Sequence, residues 1–576
     1  MKHQRTWIII ALFLFLCLLF AIAADQGRTA SSAKEPFEIF LANGNTEWDP
    51  ATGYNSENLI TFFSLPDDGE YAFVIPGTWD ASRLRVFLTG IESVKIGGRK
   101  YHNGDSISLP LNSFFLVKTP GNRPIKMTAR KTDGLPVLFI STESKSCDNI
   151  HSDKTVREPG TLLMTDPDGG TVYEGELTAV RTRGNETFKF NKKSYQIKLA
   201  KSTALIGEGK AKTWILLADA MDRSHIRNTI ALDLARYCGA FSFTPQEQSV
   251  DLYMNHDYKG TYLLVEKVET DPNRLRIRDL EEEIEDLNQG LEFEELIPEG
   301  DTECDYGSRK YYKLPAEPED FTGGYLVQIN KLTRYATEAS GFLTNRGCLF
   351  TLQEPKYVGE AEMQYISSLF QQIEDALYSE DGVDPASGLH YTDLLDLKSL
   401  VNRYLVAEVL DDYDGQCTYF YKDSDSVDTK VYSGPVWDQD NILGVWITQC
   451  DPSVIHLTYE NSRNYPWNWF TQASRHNGFR REVKETYFST FRPAIRILLG
   501  QEKDPNGILR SVDEYAERVK VSAQMDFFRW ENPLQPFYRY YNSATGDTFE
   551  KQIRFIKEYL ALREYALDSF FLKQVP

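Results

Sequence analysis

The sequence predicts an α+β protein in three stretches: a small all-β sandwich, a lobe of strands around one helix, and a helical C-terminal part. Three observations carry this. Between residues 35 and 131 short alternating apolar runs ("YAFVIPG", "RLRVFLTG", "SISLPL", "SFFLVKT") are separated by the turn pairs Gly97-Gly98, Asn103-Gly104 and Pro120-Gly121, the punctuation of a sandwich. After "KTDGLP", strands recur in "VLFIST", "GTLLMTDPDGGTVYEGELTAVRTRGNETF", "SYQIKLAKS" and "SVDLYMNHDYKGTYLLVEKVE". They are interrupted once, where Ile226, Ile230, Leu234 and Tyr237 recur at helical spacing and Gly239 supplies a stop. From "EAEMQYISSLFQQIEDALYS" onward long amphipathic segments dominate, among them "VDEYAERVKVSAQMDFFRW" and "EKQIRFIKEYLALREYALDSFF".

Length and composition bound the function. A chain of 576 residues with 41% hydrophobic and 13% aromatic content can bury several cores. Its 84 acidic residues against 63 Lys and Arg give a net charge of -21, which argues against nucleic acid as partner, because that binding needs a broad cationic footprint. The stretch 278–322, "RDLEEEIEDLNQGLEFEELIPEGDTECDYGSRKYYKLPAEPEDFT", is strongly acidic and reads as a solvated insertion.

The first 24 residues read as an export signal. Lys2 and Arg5 precede an apolar run, and Ala21 and Ala23 form a small-residue step before Asp25. The run is also about long enough for an uncleaved anchor, which needs roughly 17–25 residues. The expected location is therefore secreted, or held at the outer face of the cytoplasmic membrane or cell surface. The cysteines form no C-x-x-C pair and none has a His at ligand spacing, which speaks against zinc. In an oxidising compartment their even number after residue 24 permits a disulfide.

The most informative segment is 410–440, "LDDYDGQCTYFYKDSDSVDTKVYSGPVWDQD". Two aromatic strands joined by a polar turn predict a hairpin, which brings Asp412 and Asp438 side by side although 26 residues separate them. Phosphoryl transfer uses such a pair, one Asp taking the proton of the attacking hydroxyl and another holding magnesium at the phosphates. Spacing alone leaves solvated turn carboxylates as the ordinary reading.

Taken with "RTRGNETFKFNKKSYQIKL", "KTWILLADAMDRSHIRNTIALDLARYCG", "GGYLVQIN" and "GPVWDQDNILG" in this order, the chain resembles the spore coat protein H (CotH) family of atypical kinases over roughly residues 135–575. The resemblance implies a divergent protein-kinase-like fold that transfers the γ-phosphate of ATP, with Mg2+, to Ser or Thr of a secreted or surface protein. It also implies that Asp412 is catalytic and that Asp438 holds the metal, with Asp440 as a second contact. Asp411 and Asp414 compete for the base role on sequence alone. On the nucleotide side Lys198 is the candidate for pairing phosphates, with Lys192 and Lys193 as rivals. Arg183 beside Gly184, Arg227 and Asn228 at the start of the helix, and the backbone near Glu266 as the adenine-reading hinge complete the set.

The sequence departs from the family at Cys417, where a metal-binding Asn is expected, and at Gln328 and Asn330, where acids are common. A thiol is a poor magnesium ligand, which brings Mn2+ into consideration. The alternatives to an active kinase are an inactive relative serving as a structural or assembly protein in a surface layer, and a surface carbohydrate-binding protein.

Overall fold

The computed structural model describes residues 37–46, 58–65, 69–185, 187–301, 303–412, 418–447, 450–455, 465–531 and 541–573. The N-terminal apolar run, Asp414 and Cys417 lie outside them. Among the described residues no helix is long and apolar enough to cross a membrane, and Cys147, Cys238, Cys304, Cys348 and Cys450 are free thiols.

Two β-sheets come first. Glu38–Asn43, Leu84–Thr89 and Ser106–Ile107 form the smaller, and six strands from Phe63–Ser64 to Ile125–Lys131 form the larger. Their inner faces share one core that includes Ile39, Val86, Phe73 and Met127. The same core runs on into the next part of the chain. Trp79 stacks on Phe139 at 5.9 Å, Phe139 on Tyr253 at 5.1 Å, and the Tyr253 hydroxyl donates to Val74 O at 3.0 Å.

Residues 137–266 close into a seven-stranded barrel. Around it run Val137–Thr142, Glu158–Thr165, Thr171–Arg183, Ser194–Thr203, Ala211–Leu217, Asp257–Glu266 and Glu247–Met254, the last pairing parallel with the first. Strand alternation sends Leu138, Leu162, Ile197, Trp214 and Leu264 into the barrel. A register shift between Leu177 and Ala179 resets the parity of the long strand. Val180 and Thr182 are buried as a result, while Arg181 and Arg183 keep some exposure. The expected helix is present as Arg227–Cys238 and ends at Gly239 in the left-handed region, φ 61°.

A seven-stranded antiparallel sheet follows, covered by helices. The acidic stretch 278–322 is built into this part rather than solvated. It supplies the edge strands Glu299–Gly300 and Arg309–Tyr311, and its helix Leu280–Leu287 buries Leu280 and Ile284 in the core. Arg278 pairs with Glu283 and Asp320 to fix its start. The predicted hairpin is formed by Tyr419–Lys422 and Val431–Ser433, with Tyr421 opposite Tyr432.

The barrel and the C-terminal helix Val512–Arg529 are joined by a buried ion pair. Lys192 Nζ lies 2.6 Å from Asp526 Oδ1, and His225 Nε2 lies 3.3 Å from Asp526 Oδ2. Lys192 also donates to Thr261 O at 2.6 Å, and Thr261 N donates to Asp526 at 3.0 Å. Burial pushes the Asp526 carboxyl up, but Lys192 and His225 outweigh it and hold it well below the usual range. Gly260 makes room for the pair: at φ 105°, a Cβ there would stand 2.1 Å from Asp526 Oδ1. Asp526→Ala leaves the Lys192 ammonium buried and alone and is expected to cost about 3–5 kcal/mol. Urea unfolding monitored by circular dichroism measures that loss, and Gly260→Ala should show a comparable one.

Candidate active site

Helix Leu397–Leu410 delivers the first aspartate. Asp396 caps it by accepting from Ser399 N at 2.7 Å, and Asp411 ends it in the left-handed conformation, φ 52°. The reversal turns consecutive carboxyls to different neighbours. Asp411 accepts a hydrogen bond from the Tyr559 hydroxyl of the last helix. Asp412, also buried, accepts at Oδ2 from Arg403 Nη2 and from Gln439 Nε2, each at 3.2 Å. Of the two described candidates for the base, Asp412 is thus the one that meets the segment after the hairpin.

That segment is held on two sides. Leu443 N donates to Leu410 O at 2.8 Å, so the chain after Asp438 returns to the end of the helix that carries Asp412. Gln439 N donates to Asn228 Oδ1 at 2.8 Å, and Arg227 Nε donates to Ile442 O at 3.0 Å. Asp438 itself is exposed and has φ 60°, and Asp440 is half-buried. The residue that meets Asp412 is Gln439, which follows Asp438 in the chain. Sequence reading missed Arg403, Gln439 and Trp437, although the side chain between the two aspartates of "WDQD" was the available signal.

Arg227 and Asn228, expected to touch phosphates, instead support this segment from below. Arg227 is fully buried and pairs with Asp222 Oδ1 at 2.6 Å. Asn228 donates to Asp219 Oδ1 at 2.8 Å while accepting from Gln439 N. The two buried aspartates beneath them are pushed apart in acidity. Asp222 accepts from the backbone of Ser224, Ile226 and Arg227. Burial pushes it up, but Arg227 and these donors bring it below the carboxylate range. Burial and the neighbouring Asp222 charge push Asp219 up to about 8.

Arg183 lies over the Trp437 ring, 5.4 Å from its centroid, next to Asp438 in the chain. Two residues back on the same barrel face, Arg181 lines a hollow of about 560 Å3 together with Gln196, Lys198, Thr213 and Lys267. Its far wall comes from the acidic stretch and from Tyr357, and includes Glu281, Leu291 and Phe293. Lys198 is exposed here. Its rivals are committed elsewhere, Lys192 to Asp526 and Lys193 to the carbonyls of Phe188 and Phe190 at 2.6 and 3.1 Å. Glu266 does not face the hollow as a free hinge: its N donates to Gln246 O at 3.0 Å, and its carboxylate accepts from Gln246 N at 2.8 Å. The chain leaves the barrel one residue later, at Lys267. Asn330 bonds Thr351 at 2.7 Å, across the sheet.

Among the described residues no three His, Cys, Asp or Glu side chains form a metal cluster. The donor set nevertheless suits magnesium, which is commonly held by one or two carboxylates with the remaining positions left to water and phosphate. Asp438 and Asp440 are the carboxylates that could hold such an ion, and Arg183 over Trp437 and the exposed Lys198 are the candidates for cations facing a phosphate.

The architecture defines a mixed α+β protein with N-terminal β-sheets, a closed barrel and a helical C-terminal part. The chain belongs to the CotH kinase protein family, which matches residues 180–567. No curated protein matches it. The match opens in the strand that carries Arg181 and Arg183 and includes every candidate site residue.

The raised pKa of Asp219 makes a prediction. An acid that stays protonated in the fold up to about pH 8, but ionises near 4 when unfolded, stabilises fully below pH 4 and loses that contribution as pH rises to 8. Asp219→Asn keeps the acceptor for Asn228 and removes the proton. It should flatten the fall in stability between pH 5 and 7 by about 1.4 kcal/mol per pH unit, read from urea midpoints across that range.

Proposed function

We propose that this chain is an exported protein kinase that transfers the γ-phosphoryl group of ATP to Ser or Thr hydroxyls of secreted or surface proteins. The observation that carries the reading is the contact between Gln439 and Asp412, which ties the segment after the hairpin to the end of the helix that carries Asp412. Family membership supports phosphotransfer. The apolar run at residues 7–24 supports export.

Each residue has a task that its surroundings suit. Asp412 takes the proton of the substrate hydroxyl on its carboxylate, which Arg403 and Gln439 hold in one orientation. Arg181, Arg183 and Lys198 attract the phosphates and fix their direction along the barrel face. Asp438, aided by Asp440, holds Mg2+ or Mn2+, and the ion supplies positive charge where negative charge accumulates on the phosphoryl oxygens. Asn228 and Arg227 keep the Asp438 segment in place through Gln439 N and Ile442 O.

Incubation of the purified chain with labelled ATP, Mg2+ or Mn2+ and a Ser/Thr-rich secreted protein tests the proposal. Transfer of label supports it, whereas nucleotide binding without transfer would make the chain a nucleotide-binding assembly protein. Asp412→Asn should lower kcat by about 100-fold or more with little change in nucleotide affinity, and Asp438→Ala should abolish metal-dependent nucleotide binding. Because Asp438 has φ 60°, which Asn keeps more easily than Ala, Asp438→Asn is the paired variant that should also lose metal-dependent binding while melting with the parent. Unchanged turnover in the first would remove Asp412 from the base role.

The nucleotide side has its own test. Lys198→Met and Arg181→Met each remove a charge-assisted contact and should weaken ATP binding about tenfold or more, by isothermal titration in the presence of Mg2+. Lys193→Met, whose ammonium is held by the carbonyls of Phe188 and Phe190 and the Phe188 ring, should leave the affinity unchanged.

A further inference from the structure

The larger N-terminal sheet turns one face to the core and the other outward. Along its strand Phe114–Lys118, Phe115 and Val117 are buried while Phe114, Leu116 and Lys118 are exposed. Lys118 stands directly opposite Lys95, and Lys95 directly opposite Lys100. Three ammonium groups therefore lie side by side across three strands. Like charges in direct cross-strand register destabilise a sheet, and a chain of net charge -21 has acids to spare. Among the described residues none forms an ion pair with these three lysines. Lys126, on the next strand, extends the row opposite Leu116; it pairs with Glu70 and lies 3.8 Å from the Phe114 ring centroid. Inside this basic field, Phe114 is 51% and Leu116 is 58% exposed.

We propose that this face docks on a bilayer of anionic lipid headgroups. The lysine row complements the negative surface potential of such a bilayer, and Phe114 and Leu116 supply apolar side chains that enter the boundary between headgroups and acyl chains. The acidic remainder of the molecule is repelled by the same surface, which orients the basic sheet toward it. In the sequence the apolar run ends at Ala24 and the first strand begins at Glu38. The intervening segment reaches at most about 50 Å, so a chain held by that run keeps the sheet near the bilayer. An acidic protein partner would use the lysines equally well but has no need of the two apolar side chains.

The experiment uses the chain from residue 31 onward, which retains every described strand and helix and excludes binding through the apolar run. It is sedimented with vesicles of phosphatidylcholine alone or of phosphatidylcholine with phosphatidylglycerol. The parent should bind the anionic vesicles, not the neutral ones, and lose binding as salt rises. Lys95→Glu/Lys118→Glu should weaken binding about tenfold or more. Phe114→Ser/Leu116→Ser should weaken vesicle binding while leaving binding to soluble polyglutamate as in the parent. Both pairs replace exposed side chains, so thermal melts should match the parent, and ATP turnover is expected to do the same. Equal binding to neutral vesicles, or full binding by the lysine variant, overturns the proposal. Tight capture of polyglutamate together with undiminished vesicle binding by the apolar variant also overturns it and makes the face a docking site for an acidic protein.

Discussion

The carboxamide of Asn228 joins the barrel to the end of the helical part that carries Asp412. Its nitrogen is fixed on Asp219 and its oxygen receives Gln439 N, and the Gln439 side chain goes on to Asp412. An amide can serve both neighbours only if Asp219 accepts and the backbone donates, so its orientation is fixed. The consequence reaches from a loop before the first long helix to the end of a helix nearly 200 residues later. A displacement of Asn228 would move Gln439, and with it the spacing between Asp412 and Asp438.

Holding this geometry has a conformational cost. Asp219, His225, Asp411, Asp438 and Leu443 all have positive φ without being glycine, and such residues cost of order 1–3 kcal/mol each. They flank the site on both sides. The surroundings enforce each of the two reversals that matter most. Leu443 N is tied to Leu410 O, and Asp412 N to Ala407 O at 2.9 Å, which leaves Asp411 no extended alternative. A glycine at 411 would relax the turn but lose the carboxylate that receives the Tyr559 hydroxyl. Burial, and then Asp411, push the pKa of that hydroxyl well up, so the donor is retained at any physiological pH.

The hairpin, the helix from Arg227 and the meeting of Asp412 with the segment after Trp437 were legible in the sequence, because each rests on local periodicity or on the geometry of a short polar turn. The barrel was not, since closure depends on the parallel pairing of Val137–Thr142 with Glu247–Met254, a contact more than 100 residues apart in sequence. For the same reason Arg227 was misread. At a helix start it looks like a phosphate ligand, and only the fold reveals that Asp222 and Ile442 O already occupy it. The acidic stretch misled through composition: its glutamates are numerous, but Leu280 and Ile284 bury enough to seat the helix. Lys198 was preferred over Lys192 only because it ends a strand-like run, with no sign of where either side chain lies. Burial separates them, one closed in an ion pair and one opening into the hollow.

Charge is unevenly distributed over this acidic protein. The net charge of -21 is an average, and in salt solution a ligand senses only charges within about 10 Å. Along the barrel face Arg181, Arg183 and Lys198 emerge from neighbouring strands whose inward residues are apolar, so the register that fills the barrel also gathers these cations on its outside. The acids opposite them, Glu281 among others, come from the helix Leu280–Leu287. The hollow is therefore lined by both signs, with Arg181 and Lys198 on the barrel strands, Glu269 close to Lys267 where the chain leaves the barrel, and Glu281 and Lys356 from the part that follows. Under the proposed function, Arg183 over Trp437 would carry the basic row on toward Asp438, the residue that follows Trp437 in the chain.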